Sequence, residues 1–347
     1  MPVNSVDALK SRFNAALLDG RVTTQESDDI IALVKDGGGV TNSERRQVRE
    51  QFILHGDKFE PAAKSKMDAF ISNEIPNLLI DDAVVVDGGG RKDLPDPAVL
   101  KDDASTVKYD WTAGNVFVDG PTPGDVIQGY IGNCYMVAGF ASIASQQPEI
   151  IENAIKDNGD GTFTVKFFET SRWSREPKTV EITVDGQLPT RSGGLRYGKN
   201  RDKNELWVGI FEKAYAQWKG GYEEIGNGGQ TGAVMTALTG RPDSYTWLST
   251  SSSPDAVFNE IKEALDAKKG VAAGTHGESR SDLYKGTGVY ANHAYSIHSV
   301  EERDGKKFVE LRNPWGEVEP SGNGPDDGFF KLEMGTFLKL YSGLYVA

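Results

Sequence analysis

The chain has 347 residues, of which 38% are hydrophobic and 26% are charged, and its formal net charge is −13. This length accommodates two domains, or one divided core with an additional module, and the composition is typical of a globular protein. A nucleic-acid partner is not expected because it would require a basic face, and no apolar run approaches the ~20 residues of a membrane span. The acidity is compatible with attraction of calcium, although acidity alone more often serves solubility. Only one cysteine is present, so no disulfide can form within the chain.

The N-terminal region, residues 1–80, is predicted to be entirely helical, and its sequence does not indicate a role. Apolar residues from Leu9 to Leu17 recur at helical spacing. Thr23–Glu26 and Thr41–Glu44 each read Thr-x-x-Glu, a capping box that satisfies the first free amides of a helix. The Asp-Gly turns before them lack the alternating acidic positions of an EF-hand loop. Turns that simply separate helices are therefore favoured over calcium binding there.

Residues 81–104 are predicted to form a linker or extended arm, because glycines and Asp-Pro steps interrupt any regular helix. The stretch from Gly88 to Pro97 is a candidate autoprocessing site, and residues 1–100 are a candidate intramolecular inhibitor. The first ten residues lack the basic start and apolar core of a secretory signal. The expected location is therefore cytoplasmic by default, with export without a cleaved signal left open.

The single cysteine, Cys134, lies in the segment Gln128-Gly-Tyr-Ile-Gly-Asn-Cys134, and the small and apolar residues that follow it predict a buried helix. A cysteine at the start of a helix gains thiolate character from the N-terminal partial charge. The Cys134 backbone amide and the Gln128 side-chain amide are the predicted donors to a developing oxyanion. A free cysteine is more often a small buried hydrophobe, and this segment alone does not decide between the two interpretations.

His293 and Asn313 lie far downstream and supply the groups that a cysteine nucleophile needs. The alternation after His293 predicts the start of a strand, and Lys306–Leu311 predicts the next strand of a hairpin that brings His293 beside Asn313. His293 would take the thiol proton, and Asn313 would hold the imidazole by its other nitrogen. The order cysteine, histidine, asparagine is that of papain-like proteases, for which we expect a thiolate–imidazolium resting pair.

Four blocks of the chain, within roughly Val118 to the C-terminus, closely resemble the calpain-type cysteine proteases. The family's Gln-Gly-x-Leu-Gly-Asp-Cys-Trp corresponds to Gln128–Tyr135, its Gly-His-Ala-Tyr-Ser to Asn292–Ser296, and its Arg-Asn-Pro-Trp-Gly-Glu-Val-Glu is unbroken as Arg312–Glu319. The fourth block, Glu205–Ala216, is similar to a family helix in the first half of the core. The chain departs from the pattern at Asn133 (Asp in the family), Tyr135 (Trp) and Asn292 (Gly).

The resemblance implies an α+β fold, a papain-like two-lobed core with the nucleophile on a helical lobe and the histidine and asparagine on a β-rich lobe. We place this catalytic domain at residues 105–347, with subdomains at about 105–241 and 242–347 and a hinge near Gly240. The resemblance also implies a cysteine endopeptidase that hydrolyses peptide bonds in protein or peptide substrates. Trp315 would shield the His–Asn pair from water.

In this family, calcium bound to each lobe drives closure of the lobes, so the resemblance implies ligands at matching positions. Those of the first lobe are the backbone carbonyls of Val118 and Gly120 and the carboxylates of Asp125 and Glu205. Those of the second lobe are Glu319, Asp326 and Asp327, with Phe329 where the family has another carboxylate. Oxygen ligands of this kind suit Ca²⁺, although carboxylates that simply face solvent remain an open alternative.

Two other functions remain open at this point. Transglutaminases use a similar triad to transfer an acyl group to an amine, but they usually carry aspartate at the third position, where this chain has Asn313. The other is a calpain-like binding module that has lost catalysis. The intact Cys134, His293, Asn313 and Gln128 weigh against such a module, because a decayed site commonly loses one of these groups.

Overall fold

A computed structural model of the chain describes residues 5–35, 48, 51–52, 55, 58–74, 91–171, 174–320 and 325–347. The chain divides into two units, Met1–Gly89 and Gly90–Ala347. The second predicted capping box, Thr41–Glu44, and residues 81–90 of the predicted linker lie outside the described residues.

The first unit contains the helices Ser5–Ala16, Thr24–Val34 and Pro61–Glu74. The first predicted capping box is confirmed, since the Thr23 side chain accepts from the Glu26 amide at 3.3 Å and the Glu26 carboxylate accepts from the Thr23 amide at 2.9 Å. The apolar faces of these helices bury a small core that includes Phe13, Ile30 and Met67. The apolar residues at helical spacing in the sequence are therefore those that pack between the helices of this unit.

The second unit has an α+β fold, and its first lobe is built on the helices Cys134–Gln146, Pro148–Ala154, Trp207–Lys219, Tyr222–Gly226 and Thr231–Thr239. Short strands surround them: β1 (Lys108–Trp111), β2 (Val126–Ile127), β3 (Ile155–Asp157), β4 (Thr162–Ser171), β5 (Ser174–Asp185), β6 (Gln187–Arg191), β7 (Gly194–Leu195) and β8 (Lys199–Asn200). They pair as β3-β4-β5, β1-β6-β7 and β2-β8. The helix Cys134–Gln146, called the Cys134 helix below, is buried on every side from Tyr135 to Ala144, which explains why its sequence is small and apolar throughout.

The second lobe is a six-stranded antiparallel sheet in the order β13-β12-β11-β10-β14-β9. Its strands are β9 (Ser244–Trp247), β10 (Val271–Thr275), β11 (Ala294–Arg303), β12 (Lys306–Arg312), β13 (Phe329–Glu333) and β14 (Tyr341–Val346), with the helices Pro254–Asp266 and Met334–Leu340. The hairpin β11-β12 pairs Ser296 with Arg312. His293 and Asn313 therefore both lie at its open end, as the sequence predicts.

The two lobes are organised around two different hydrophobic cores. One core is formed by first-lobe residues up to Leu238 together with Ala294 and Ala347, and the second core begins at Leu248. The proposed hinge near Gly240 falls between them. Short 3₁₀ turns occur at Lys101–Asp103, Pro123–Asp125 and Glu278–Tyr284. In the part of the chain that the structure describes, no helix is long and apolar enough to cross a membrane.

Residues 91–100, assigned to the linker or arm in the sequence, lie along the first lobe as part of the second unit. The Leu94 amide donates to Asp185 at 2.7 Å, and Asp96 lies 2.5 Å from the ammonium of Lys213. Lys213 is only 1% exposed and also contacts the fully buried Asp185 at 2.6 Å. A buried ammonium requires paired carboxylates, and this requirement fixes the arm in place.

Candidate active site

Cys134 opens its helix at the place where the two lobes meet. The helix packs against β11, whose first residue, Ala294, is buried. Asn133 is the N-cap residue, and its backbone carbonyl accepts from the Met136 amide at 2.9 Å while its side chain makes no cap hydrogen bond. Hydrogen bonding with the backbone amides of Ala294, Tyr135 and Cys134 itself lowers the pKa of the thiol. These amides therefore stabilise a negative charge on the sulfur.

Burial nevertheless dominates the protonation of the candidate pair. It raises the pKa of the Cys134 thiol, against the lowering by the backbone amides. It also lowers the pKa of His293 to about 4, against the opposing hydrogen bond with Asn313. Because burial penalises each charged form, this arrangement favours a neutral thiol and a neutral imidazole. The shift that burial gives to each group runs against the thiolate–imidazolium resting pair expected from the sequence.

The hydrogen bonds of Asn313 fix the orientation of its side chain. Asn313 is fully buried, and its amide nitrogen donates to the carbonyls of Glu317 at 3.0 Å and Val318 at 2.8 Å. Its oxygen accepts from the Trp315 amide at 3.2 Å and faces His293 Nε2 at 2.9 Å. Because that oxygen can only accept, Nε2 carries the ring proton and Nδ1 of the neutral ring is left as the base.

The imidazole is held on both sides by aromatic rings and at its backbone by the neighbouring strand. The His293 amide donates to the Thr275 hydroxyl at 2.9 Å, and the Thr275 amide donates to the His293 carbonyl at 2.9 Å. The Trp315 ring centroid lies 4.7 Å from the imidazole centroid, and the Tyr295 ring meets it edge-on at 4.9 Å. The ring therefore has little freedom to turn away from Asn313.

Gln128 lies in the loop that leads to Cys134 and contacts the second lobe. Its backbone amide donates to the Pro314 carbonyl at 2.8 Å, and its side-chain nitrogen donates to the Ile131 carbonyl at 2.6 Å. The side-chain nitrogen carries a second hydrogen, which leaves one donor for another acceptor. A Cβ added at Gly129 would lie 2.2 Å from the Tyr197 carbonyl oxygen, so only glycine allows the loop to approach the first lobe this closely.

Two arginines that were not predicted as functional join the lobes beside this site. Arg312 is fully buried and donates across the lobes to the carbonyls of Val126 at 2.8 Å and Gly124 at 3.1 Å. Arg201 of the first lobe donates to the Gly316 carbonyl at 2.6 Å. The sequence did contain a signal for Arg312, which directly precedes the candidate catalytic Asn313 at the end of a buried strand. A charged residue at such a position requires partners, and these would lie close to the site.

Glu205 and Asp125, the two predicted carboxylate ligands of the first lobe, each accept hydrogen bonds from neighbouring groups. The Glu205 carboxylate is 2% exposed and accepts from the Val118 amide at 2.8 Å and from Asn200 at 2.9 Å. The Asp125 carboxylate accepts from the Thr122 amide at 2.6 Å and from the indole of Trp207 at 3.4 Å. Asp119 and Gly120 both have positive φ, so the chain turns sharply around the carbonyls of Val118 and Gly120.

The predicted ligands of the second lobe lie near one another, but each carboxylate is bound by the local backbone. Glu319 accepts from the Gly328 amide at 3.1 Å, and Asp326 accepts from the Val318 amide at 2.7 Å. Burial raises the pKa of Glu319, and the neighbouring Asp326 and Asp327 raise it further. Within the described residues, no group of three or more His, Cys, Asp or Glu side chains is arranged to hold a metal ion.

A buried carboxyl behind the Cys134 helix was also missed. Glu212 is 1% exposed and accepts from the side-chain amide of Asn133 at 2.7 Å and from the Gly198 amide at 2.8 Å. Its signal in the sequence was a carboxylate within the apolar run that begins at Trp207, where an unpaired charge would be costly.

The α+β fold, with a cysteine at a helix start on one lobe and a histidine and an asparagine at the end of a β hairpin on the other, is the architecture of papain-like cysteine peptidases. The family model described as calpain family cysteine protease matches residues 107–328. The chain is 31% identical to calpain-8 of Rattus norvegicus over 269 residues, which cover 66% of this chain and 36% of that protein. It is 27% identical to the calpain-2 catalytic subunit of Bos taurus over 259 residues, which cover 65% of this chain and 36% of that protein.

The chain therefore belongs to the calpain family of cysteine proteases. It spans little more than a third of the length of these relatives, 36% in each case. The matched region contains Cys134, His293 and Asn313, whereas the first unit, Met1–Gly89, lies outside it.

Proposed function

We propose that this chain is a calpain-type cysteine endopeptidase that hydrolyses peptide bonds in protein or peptide substrates through Cys134, His293 and Asn313. The observation that carries the proposal is the orientation of His293, whose Nε2 faces the Asn313 oxygen at 2.9 Å. With Nε2 committed to Asn313, Nδ1 is the nitrogen that takes the thiol proton. The proposed cellular location of the protein is the cytoplasm, and cell fractionation would test it.

In the proposed mechanism, the Cys134 thiol and the His293 imidazole are both neutral before the attack. As the Cys134 sulfur attacks the substrate carbonyl, its proton passes to His293 Nδ1 and the carbonyl electrons move onto oxygen. The Cys134 backbone amide and the free hydrogen of the Gln128 amide donate to that oxyanion. The imidazolium then gives its proton to the leaving amine as the C–N bond breaks, and His293 next deprotonates the water that hydrolyses the thioester. Trp315 packs on the imidazole and keeps water from its bond to Asn313.

We also propose that the first lobe binds Ca²⁺ through the carbonyls of Val118 and Gly120 and the carboxylates of Asp125 and Glu205. The fit rests on the donor set, because two carboxylates and two carbonyls on one loop and the adjoining helix start are hard oxygen ligands. Burial raises the pKa of Asp125, so a cation beside it would relieve an unfavourable charge. When bound, calcium would supply fixed positive charge at the edge of the lobe interface.

The second-lobe ligands are not part of this proposal. Glu319, Asp326 and Asp327 do not converge as a metal site in the described residues, and Phe329 replaces a family carboxylate. Isothermal titration with Ca²⁺ between micromolar and millimolar concentrations tests both statements. We expect Asp125→Asn to abolish the heat of binding and Asp326→Asn to leave it unchanged. No heat in the unaltered chain would end the calcium proposal.

Hydrolysis of casein or a fluorogenic peptide tests the peptidase itself, with Ca²⁺ and with chelator. We expect turnover by the unaltered chain and none by Cys134→Ala or His293→Asn, whereas the control His298→Asn, in the same lobe, keeps its activity. Residual cleavage by Cys134→Ala would overturn the assignment. Incorporation of an added primary amine in place of hydrolysis would favour acyl transfer, and the absence of both reactions in a folded chain would favour a binding module.

Intramolecular inhibition by residues within 1–100 is a further part of the proposal. The truncation that tests it should begin at Arg91, because removal of all 100 residues would also remove Asp96 from the buried Lys213. We expect higher turnover from the truncated chain than from the full chain at equal concentration. Equal turnover from two folded proteins would exclude inhibition by the first unit.

A further inference from the structure

The carboxyl of Glu212 occupies a point where two segments behind the candidate nucleophile meet. One oxygen accepts from Asn133, the residue directly before Cys134, at 2.7 Å. The other accepts from the Gly198 backbone amide at 2.8 Å. The Gly198 backbone approaches closely, since a Cβ added at Gly198 would lie 2.7 Å from a Glu212 oxygen. The two hydrogen bonds therefore join the start of the Cys134 helix to the segment around Gly198.

That segment also supports the loop that carries Gln128. The Tyr130 amide donates to the Arg196 carbonyl at 3.0 Å, and Gly129 lies directly against the Tyr197 backbone. Glu212 thus connects the helix start that positions the sulfur with the backbone on which the predicted oxyanion loop rests. A shift of either part relative to the other would change the distance from the sulfur to the Gln128 amide.

Asn133 suits this position in a way that the family's aspartate does not. Its side-chain nitrogen donates to Glu212, and its side-chain oxygen is buried without a hydrogen-bond partner among the described residues. If Glu212 gains a proton, a flip of the Asn133 amide would let that oxygen accept it. An aspartate could not donate to an ionised Glu212, and the two carboxyls would have to share a proton.

We propose that Glu212 is a positioning residue for Cys134: its ionised carboxylate, held between Asn133 and Gly198, fixes the helix start relative to the Gln128 loop. The effect of this residue on turnover rests on the proposed peptidase function. Its effect on the geometry around the sulfur does not, and thiol chemistry measures that effect separately.

The proposal carries a pH dependence. Burial raises the pKa of Glu212 to about 7, against the lowering by the hydrogen bonds from Asn133 and Gly198. The ionisable groups that face it are the phenols of Tyr109 and Tyr222, and burial raises the pKa of each so that both stay neutral. The nearby carboxylates Asp96 and Asp185 are paired with Lys213. Positioning is therefore nearly complete about one pH unit above the pKa of Glu212 and weakens as the pH falls through that pKa.

The single cysteine makes the test direct, because thiol alkylation in this chain occurs only at Cys134. The full-length protein is alkylated with iodoacetamide from pH 5.5 to 9, beside Glu212→Gln, Asn133→Asp and the control Glu152→Gln, which alters another buried carboxyl of the first lobe. The side chain introduced by Glu212→Gln would keep both contacts, with its oxygen on Gly198 and its nitrogen on a flipped Asn133, but it cannot titrate. The ratio of the unaltered rate to the Glu212→Gln rate cancels the ordinary rise of thiolate with pH.

We expect this ratio to rise by about tenfold with a midpoint near pH 7, the effect of one charge-assisted hydrogen bond. The Asn133→Asp profile should move to higher pH, because a second carboxyl raises the pKa of the pair, and Glu152→Gln should follow the unaltered chain. A flat ratio, or one that falls as pH rises, overturns the proposal, since the latter would mean that Glu212 acts through its charge alone. If Glu212→Gln fails to fold by circular dichroism, the Asn133→Asp shift decides.

Peptide hydrolysis measured on the same samples separates the two claims. A ratio with the expected midpoint in a chain that hydrolyses no peptide in the presence of Ca²⁺, either at full length or from Arg91 onward, supports the positioning role and rejects the peptidase. Hydrolysis with a flat alkylation ratio supports the peptidase and rejects the positioning role.

Discussion

Replacement of Asn313 by alanine removes a group whose hydrogen-bonding capacity is fully used. In the native site it donates to the carbonyls of Glu317 and Val318 and accepts from Trp315 and His293, at 2.8 to 3.2 Å. At about 1 kcal/mol for each net hydrogen bond, we expect Asn313→Ala to lower the free energy of unfolding by about 4 kcal/mol. Urea unfolding followed by tryptophan fluorescence at pH 7 measures this change.

The same substitution should slow turnover by a different route. Without the acceptor on Nε2, the His293 ring loses the contact that selects its tautomer and orientation. We expect kcat/KM to fall by about 10²-fold, the usual cost of a small displacement of a reacting group. The rate of Cys134 alkylation should change less, because the sulfur and its surrounding amides are untouched.

Asn313→Asp is the matched variant. Aspartate keeps an acceptor for His293 but places an oxygen against the carbonyls of Glu317 and Val318, so we expect a loss of stability with much of the turnover retained. Two results would refute the reasoning. One is an Asn313→Ala protein as stable as the unaltered chain, and the other is a loss of turnover equal to that of Cys134→Ala, which would make Asn313 more than an orienting group.

Three further predictions concern other parts of the second unit. Gln128→Ala should reduce kcat by about 10²–10³, the cost of one oxyanion donor, and an unchanged kcat would remove Gln128 from the mechanism. Burial lowers the pKa of His298 to about 3, so this histidine destabilises the fold as the pH falls below the ordinary histidine pKa. His298→Asn should therefore lose less stability than the unaltered chain between pH 6.5 and 4, by up to about 1.4 kcal/mol for each pH unit, as urea unfolding at several pH values would show. Lys213→Met should destabilise the second unit by about 3–5 kcal/mol because it leaves Asp185 buried without its cation, and limited trypsin digestion should then cut after Arg91 or Lys92.

The positions of His293 and Asn313 could be predicted because local patterns determine them. Alternation along β11 and β12 and the acidic turn between them define the hairpin, and its register leaves both residues at one end. The start of the Cys134 helix was equally predictable, since two glycines precede it and a run of small and apolar residues follows it. These features depend on periodicity and turn chemistry within about twenty residues, which a single sequence displays.

The protonation of the site could not be predicted in the same way. The sequence places Cys134 at a helix start, which favours a thiolate, but it does not show how much water remains around His293 once Trp315 and Tyr295 pack against it. Burial then outweighs the amides at Cys134 and the hydrogen bond at His293. Contacts such as those of Arg312 with Val126 join residues nearly 200 positions apart, at a separation where no local pattern operates.

Three departures from the family pattern lie directly beside Cys134 or His293, and each has its own physical explanation. Asn292 has φ of 50°, a left-handed conformation that the family's glycine adopts freely and that asparagine tolerates better than most residues. Tyr135 is buried and donates its hydroxyl to the Ile225 carbonyl at 3.2 Å. Asn133 replaces a carboxylate beside Glu212 with a donor. Each of these residues is compatible with the backbone next to Cys134 or His293, and random decay would not be expected to choose a compatible residue at all three positions. The departures therefore favour a working site over a module that has lost its chemistry.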